Sequence, residues 1–421
     1  MLEAESGKVL YQENAGHPWY PASVTKLMTA YVTLRAVKEG RLTLESPLTV
    51  TANAVAQQPV KMGFPAGTVV TVDNALKMLM VKSANDMAVV LAEGVGGSIE
   101  NFADQMNANA RQLGMTQSSF VNPNGLPADD QITSARDMGI LARALIREMP
   151  EYDYYWHLPG IRMGKMVQRN YNTLIGRYPG ADGMKTGFIC ASGFNLVASA
   201  TRDGKRLIAV VMGAPSSAGR ALKAAQLLER GFKSSGGLGG LLAPSLGTVE
   251  TLQPIAAEPP NLREEMCGSH RKRQATEDED EVLPENTGAD SPYATFLASL
   301  RTPKTKSAAL AQESTLGEPV LVYTGTKPPA PGAPQQGWGE PAKPKAAKKS
   351  KGTATASKDG KPSASSEGKP KAAKDGAAPT AAATSSDAPK PKPKKPAPKT
   401  SPAAATTPTP VSATQQTTQT R

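Results

Sequence analysis

Three short groups of polar residues have the types and spacing to do chemistry, and they occur in order along the first half of the chain. The first is Ser23-Val24-Thr25-Lys26. Residues three apart on a helix are surface neighbours, so the Lys26 amine would lie beside the Ser23 hydroxyl and could take its proton. That role needs a neutral amine, hence a pKa lowered by burial or by a nearby cation. The S-x-x-K pattern also occurs at Ser269 with Lys272 and at Ser366 with Lys369, both in polar stretches without periodicity. Only Ser23 has Pro21-Ala22 before it and an apolar helical pattern after it. Taken alone, it reads better as an ordinary helix N-terminus with a capping serine.

The second group is Ser83-Ala84-Asn85, at a bend between two helical patterns. Its hydroxyl could relay a proton and its amide could hold a substrate carbonyl. By itself S-x-N is common and mostly marks loops. The third group is Lys185-Thr186-Gly187, preceded by Asp182-Gly183. A cation and a hydroxyl at a strand edge can bind a carboxylate, and Gly187 would let a substrate backbone approach and pair with that edge.

The elements that must position these groups are readable from periodicity. Residues 23–38 carry an apolar stripe of Val24, Leu27, Met28, Tyr31, Val32 and Leu34, with a helix stop at Gly40. Further helices are expected over 73–93, broken near Lys82, and over 99–113, 134–148 and 218–231. Phe194–Ala200 and Arg206–Met212 flank Arg202-Asp203-Gly204-Lys205, a strong hairpin signal. With Met184–Cys190 they form an antiparallel three-strand meander. Residues 7–13 read as a short strand, with Ser6-Gly7 as the turn before it. The expected fold is α+β, an antiparallel sheet packed with helices over residues 1–235. A poorly structured linker over 236–326 and a disordered tail over 327–421 follow it.

The three groups in this order resemble those of class A β-lactamases and penicillin-binding proteins. The likeness extends through Pro21–Ala30, Lys82–Asp86, Asn122–Leu126, Asp182–Gly187 and Asn195–Ala200 to the low-molecular-mass D-alanyl-D-alanine carboxypeptidases, over about residues 3–233. The resemblance implies a β-lactamase/transpeptidase-like fold. It implies Ser23 as nucleophile, Lys26 as general base and Ser83 as the group that passes a proton to the leaving amine. It also implies that Asn85 orients the substrate amide. The backbone N–H groups of Ser23 and Phe188 would bind the oxyanion, and Lys185 and Thr186 the substrate carboxylate. Arg220 would read that carboxylate too, although an exposed arginine at a helix start explains it equally well. The implied partners are peptidoglycan stem peptides ending in D-Ala-D-Ala, and β-lactams. No metal or cofactor is required. Class A lactamases take their deacylating carboxylate from an E-x-x-L-N segment between the second and third groups, and none occurs here. A D,D-endopeptidase uses the same three groups. A non-catalytic wall-binding or scaffold protein, with the tail as its working part, is the alternative of another class.

Charge divides as the domains do. The 421-residue chain carries +11, while residues 327–421 alone hold 16 Lys and one Arg against five acids. That tail contains Val411 and Trp338 and otherwise Pro, Ala, Lys, Ser, Thr and other small or polar residues. It cannot bury enough apolar surface to offset its chain entropy. Its lysines are not interleaved with aromatics or set on a folded face, which argues against nucleic acid. Adhesion to anionic wall or membrane surfaces and a plain solvated spacer are the two readings left. Cys190 and Cys267 lie in different contexts without metal-ligand spacing. The expectation is that they stay unpaired, with a disulfide as the lesser alternative. Members of the resembled family carry a signal peptide and a full first strand before the equivalent of Glu3–Gly7, so the resemblance implies a translation start upstream of Met1 and a periplasmic location. The second all-β domain and terminal amphipathic helix of many relatives have no counterpart in the pattern of residues 236–421.

Overall fold

The Asp203-Gly204 turn organises the centre of the molecule. In the computed structural model, which describes residues 1–234, 245–269, 296 and 316–330, both turn residues take positive φ, +49° and +75°. That is the two-residue turn whose twist suits a hairpin. The strands are β1 (Leu2–Glu3), β2 (Pro18–Trp19), β3 (Pro47–Thr49), β4 (Val69–Thr71) and β5 (Thr133–Ser134). They continue with β6 (Gly160–Met163), β7 (Met166–Arg169), β8 (Ala181–Ile189), β9 (Gly193–Arg202), β10 (Lys205–Ala214) and β11 (Val320–Leu321). The helices are α1 (Lys26–Lys38), α2 (Ala52–Ala56), α3 (Val72–Val81), α4 (Asn85–Gly96), α5 (Ile99–Leu113), α6 (Ala135–Glu148) and α7 (Ser217–Ser234).

The main sheet is antiparallel, in the order β1-β10-β9-β8. The expected meander is therefore present, with a short fourth strand beside it. Alternate residues of β9 and β10 serve two cores, as the period of two demands. Leu196, Ala198, Leu207 and Ala209 pack with Ala221, Ala224 and Leu228 of α7. Val197 and Ile208 face the larger core built from α1, α3, α4 and α6. Because both faces are covered, the strands read as continuous apolar runs.

Helix α1 departs from the one-sided stripe that its sequence suggests. Its buried residues include Thr29 and Thr33 as well as Leu27, Met28, Ala30 and Leu34. A helix covered on nearly all sides is a core helix. Its threonines are satisfied internally. Thr33 donates to the Thr29 carbonyl at 2.8 Å, and Thr29 donates to the Pro123 carbonyl at 2.5 Å.

At the N-terminus the hairpin is present but the strand is shorter and earlier than expected. Leu2 and Glu3 pair with Ile208 and Leu207, whereas Lys8 and Val9 make isolated bridges. Segments beyond residue 235 also lie on the domain. Val249, Met266 and Val322 are buried in it, and β11 adds to β6 in parallel. The domain therefore extends past the expected boundary at residue 235; these segments are short and each supplies one or two apolar anchors, without a period. The expected tail beyond residue 330 lies outside the described residues. Among the described residues, no helix is long and apolar enough to cross a membrane.

Candidate active site

The chain enters the site through Trp19, Tyr20 and Pro21, then turns into a 3₁₀ segment, Ala22–Thr25, that leads directly into α1. Ala22 has a φ of +50°. Positive φ is uncommon for a residue with a side chain, and such strain concentrates at functional sites. The turn is held from outside. Asn195 donates from Nδ2 to the carbonyls of Tyr20 and Pro21 at 2.9 and 3.0 Å, and its Oδ1 accepts from the Gly213 N–H at 3.0 Å. Below it, Gly125 at φ +79° packs so closely that a Cβ there would lie 1.8 Å from the Ala22 carbonyl oxygen.

Lys26 is fully buried, and its Nζ lies 2.9 Å from Ser23 Oγ. The same nitrogen donates to Asn85 Oδ1 at 2.8 Å and to the Asn124 carbonyl at 2.6 Å. The first two groups and the Asn122–Leu126 turn therefore converge on one amine. Asn85 is fixed in turn, donating from Nδ2 to the Gln58 carbonyl at 2.9 Å.

The bend at Ser83 has a local cause. Helix α3 ends at Val81 and is capped by Lys82, Ser83 takes a φ of +58°, and Ala84 is extended before α4 begins. Ser83 Oγ is buried without a hydrogen-bond partner, and so is Thr186 Oγ1. Buried hydroxyls are nearly always paired. Two orphans in these positions are hydroxyls available to a bound ligand. Next to Ser83, burial pushes the Lys82 ammonium down to about 8, against an opposing pull from Asp86. Burial also raises the Asp86 carboxyl, although it accepts from the N–H groups of Met62, Gly63 and Met87.

Strand β8 passes against the turn at Ser23. A Cβ on Gly187 would lie 2.8 Å from the backbone nitrogen of Ser23 and 2.9 Å from that of Val24. Lys185 and Thr186 are buried beside it, and Lys185 Nζ donates to the Thr186 carbonyl at 3.0 Å. Phe188 follows, its ring 4.4 Å from that of Phe194. Arg220 is only 1 % exposed, which removes the reading of an exposed helix-start arginine. Its guanidinium donates to the Gly187 carbonyl at 3.4 Å and lies 5.5 Å from the Phe194 ring. It braces the strand that carries Lys185-Thr186-Gly187.

A D-alanyl-D-alanine carboxypeptidase family model, that of the S11 peptidases, matches residues 1–216. The chain belongs to this family. It is 37% identical over 237 residues to the carboxypeptidase DacA of Haemophilus influenzae, covering 55% of this chain and 60% of that one. It is 38% identical over 241 residues to DacC of Escherichia coli, with the same two coverages. The chain thus spans about 60% of the length of these curated relatives. Among solved structures it is similar to penicillin binding protein 5 from Haemophilus influenzae, with a TM-score of 0.54 and 37% identity over 55% of this chain and 69% of that one. DacD from Francisella tularensis gives a TM-score of 0.53 and 31% identity over 55% and 68% of the two chains. The α+β fold of this carboxypeptidase family is accordingly the fold described above.

Several residues of the site were not singled out by their types. Asn195 opens one of the stretches that carry the family resemblance, but as a polar residue in an apolar strand it gives no sign of the turn that it holds. Cys190 and Cys267 are joined in a disulfide, with Cα atoms 5.7 Å apart across a separation of 77 residues. This corrects the expectation that they stay unpaired. Their contexts differ in sequence but meet in space, because the short helix Arg263–Cys267 packs Met266 against Phe194. A cavity of about 760 Å³ between the N-terminal segment, β10 and α7 contains none of the three motifs.

Proposed function

We propose that the protein is a serine-type D-alanyl-D-alanine carboxypeptidase that releases the terminal D-alanine of peptidoglycan stem peptides. The observation that carries this reading is the 2.9 Å contact between Lys26 Nζ and Ser23 Oγ, made at the point where Gly187 touches the nucleophile turn. When the amine is neutral, the Ser23 hydroxyl donates to it. Transfer of that proton lets Oγ attack the carbonyl between the two D-alanines. The tetrahedral oxyanion is held by the N–H groups of Ser23 and Phe188, and oriented donors of this kind are often the largest catalytic contribution. The orphan Ser83 hydroxyl passes a proton to the leaving amine, and Asn85 orients the substrate amide. Lys185 and the orphan Thr186 hydroxyl bind the terminal carboxylate, with Arg220 supporting their strand. D-Alanine departs, and water hydrolyses the Ser23 ester. A β-lactam carries an amide and a carboxylate in the same relation, so it acylates Ser23.

The disulfide supports an extracytoplasmic site of action, since such bonds persist in oxidising compartments. The basic tail is assigned to weak contact with anionic wall or membrane surfaces. The test uses a fluorescent penicillin, followed by a peptide ending in D-Ala-D-Ala. Labelling of the full chain, its loss in Ser23→Ala, and release of one D-alanine per peptide are expected. A folded wild-type protein that takes no label overturns the reading. Labelling without D-alanine release, together with cleavage of cross-linked dimers, would favour the endopeptidase.

A further inference from the structure

We propose that the Cys190–Cys267 disulfide is a positioning element of the acylation machinery, and that it couples acylation of Ser23 to the redox state of the chain. The inference rests on the acyl-enzyme reading above. The bond lies two residues beyond Phe188, whose N–H faces the oxyanion in that reading, and three beyond Gly187, which touches Ser23. The turn between β8 and β9 is gripped from two sides. On one side, Trp19 Nε1 of the segment that leads to the nucleophile donates to the Ser192 carbonyl at 3.0 Å. On the other, the Leu262 N–H donates to the Ala191 carbonyl at 3.0 Å. Leu262, Met266 and Cys267 gather with Phe188 and Phe194 into a small apolar cluster of their own. Leu262 also lies against Gly193, where a Cβ would come within 3.3 Å of its Cδ1.

This grip comes from outside the region that the family model matches. The family match ends at residue 216, and the segment Leu262–Cys267 holds the strand from beyond it. Five residues give little helix stability on their own, so the brace depends on the covalent link and on Met266. Both cysteines are partly exposed, and the chain has no others. A small dithiol can therefore reduce this bond alone. It supplies two electrons and two protons, leaving two thiols on the protein and becoming a cyclic disulfide. Release of the segment frees Phe188 to shift, while the Ser23–Lys26 pair, held by Asn85, Asn124 and Asn195, stays in place. The effect falls on the acylation step and leaves initial binding of the β-lactam intact.

The experiment follows acylation of the full chain by a fluorescent penicillin at several concentrations, which separates the initial binding constant from the acylation rate. Oxidised protein, dithiothreitol-treated protein, reoxidised protein and the Cys190→Ser/Cys267→Ser double variant are compared below their melting temperatures. The expected result is an acylation rate about tenfold lower in the reduced and double-variant forms, in line with the cost of small misplacements. Binding should be unchanged and the rate restored on reoxidation. A bond that only stabilises the fold would lower the melting temperature and leave the rate alone, and that result overturns the proposal. If the double variant does not fold, Leu262→Ala and the dithiol-treated wild type decide it, and full acylation rates in both overturn it. A wild type that takes no label overturns the acyl-enzyme reading, and this inference with it. A labelled wild type matched by its reduced form overturns this inference alone.

Discussion

A Cβ added to Gly187 would lie 2.8 Å from the backbone nitrogen of Ser23, closer than real Cβ atoms come to their neighbours. The absence of a side chain at Gly187 is what lets β8 reach the turn at Ser23, and it brings Lys185, Thr186 and Phe188 close to the residue proposed as nucleophile. Gly187→Ala should push strand and turn apart. The expected outcome is at least a hundredfold loss in acylation rate with a stability cost of about 1–3 kcal/mol. Penicillin labelling kinetics and urea denaturation on the same preparation check the two numbers separately.

Lys26 is the amine on which Ser23, Asn85 and Asn124 converge. Lys26→Met keeps the length of the side chain and removes the amine proposed as base. Acylation should fall by about 10²–10⁴-fold, the range for loss of a positioned general base. Stability should fall too, because the Asn85 and Asn124 oxygens lose a buried donor. Labelling restored to the wild-type rate in Lys26→Met would rule out the assigned role.

Asp86 ties the loop that flanks the site to the start of α4. Its carboxylate accepts from Met62 at 3.0 Å, Gly63 at 2.9 Å and Met87 at 2.9 Å. The same loop supplies the Gln58 carbonyl that anchors Asn85. Asp86→Ala leaves these donors without their acceptor, at a cost of about 3 kcal/mol or more. Faster hydrogen exchange at Met62 and Gly63 than at the centre of α4 would locate the damage. Uniform exchange would assign the loss elsewhere.

Lys82 makes stability depend on pH in a definite direction. Burial lowers its folded pKa to about 8, while in the unfolded chain it titrates at about 10.4. Below pH 8 both states hold the proton and the burial penalty is fully present. Between the two values the unfolded state binds more protons than the folded one, so stability rises with pH through this window. Lys82→Met has no such proton to lose. It should raise the melting temperature at pH 7, and its advantage should shrink above pH 8. Replacing Asp86 by Asn removes the charge that opposes the shift, and the window should then open at a lower pH. Melting curves of the variants from pH 7 to pH 10 give the comparison.

Much of the site was legible in the chain because helix and strand periods place its residues. The three-residue spacing of Ser23 and Lys26, the break at Lys82 and the Asp203-Gly204 hairpin are local signals, and α3, α4, β9 and β10 begin and end close to where those signals put them. Each depends on interactions within a few residues, where backbone geometry decides. The sequence by itself therefore determined the three candidate motifs, the helices and strands that carry them and, by resemblance, the family.

Only the tertiary structure decided how these parts meet. Asn195 holding the turn before Ser23, Arg220 buried behind β8, Gly125 against Ala22 and the union of Cys190 with Cys267 all join residues far apart in sequence. Such contacts have no period and no composition to betray them. They are selected by packing, when a strand, a turn and a distant short helix leave one shared space that a particular side chain, or a missing one, can fill.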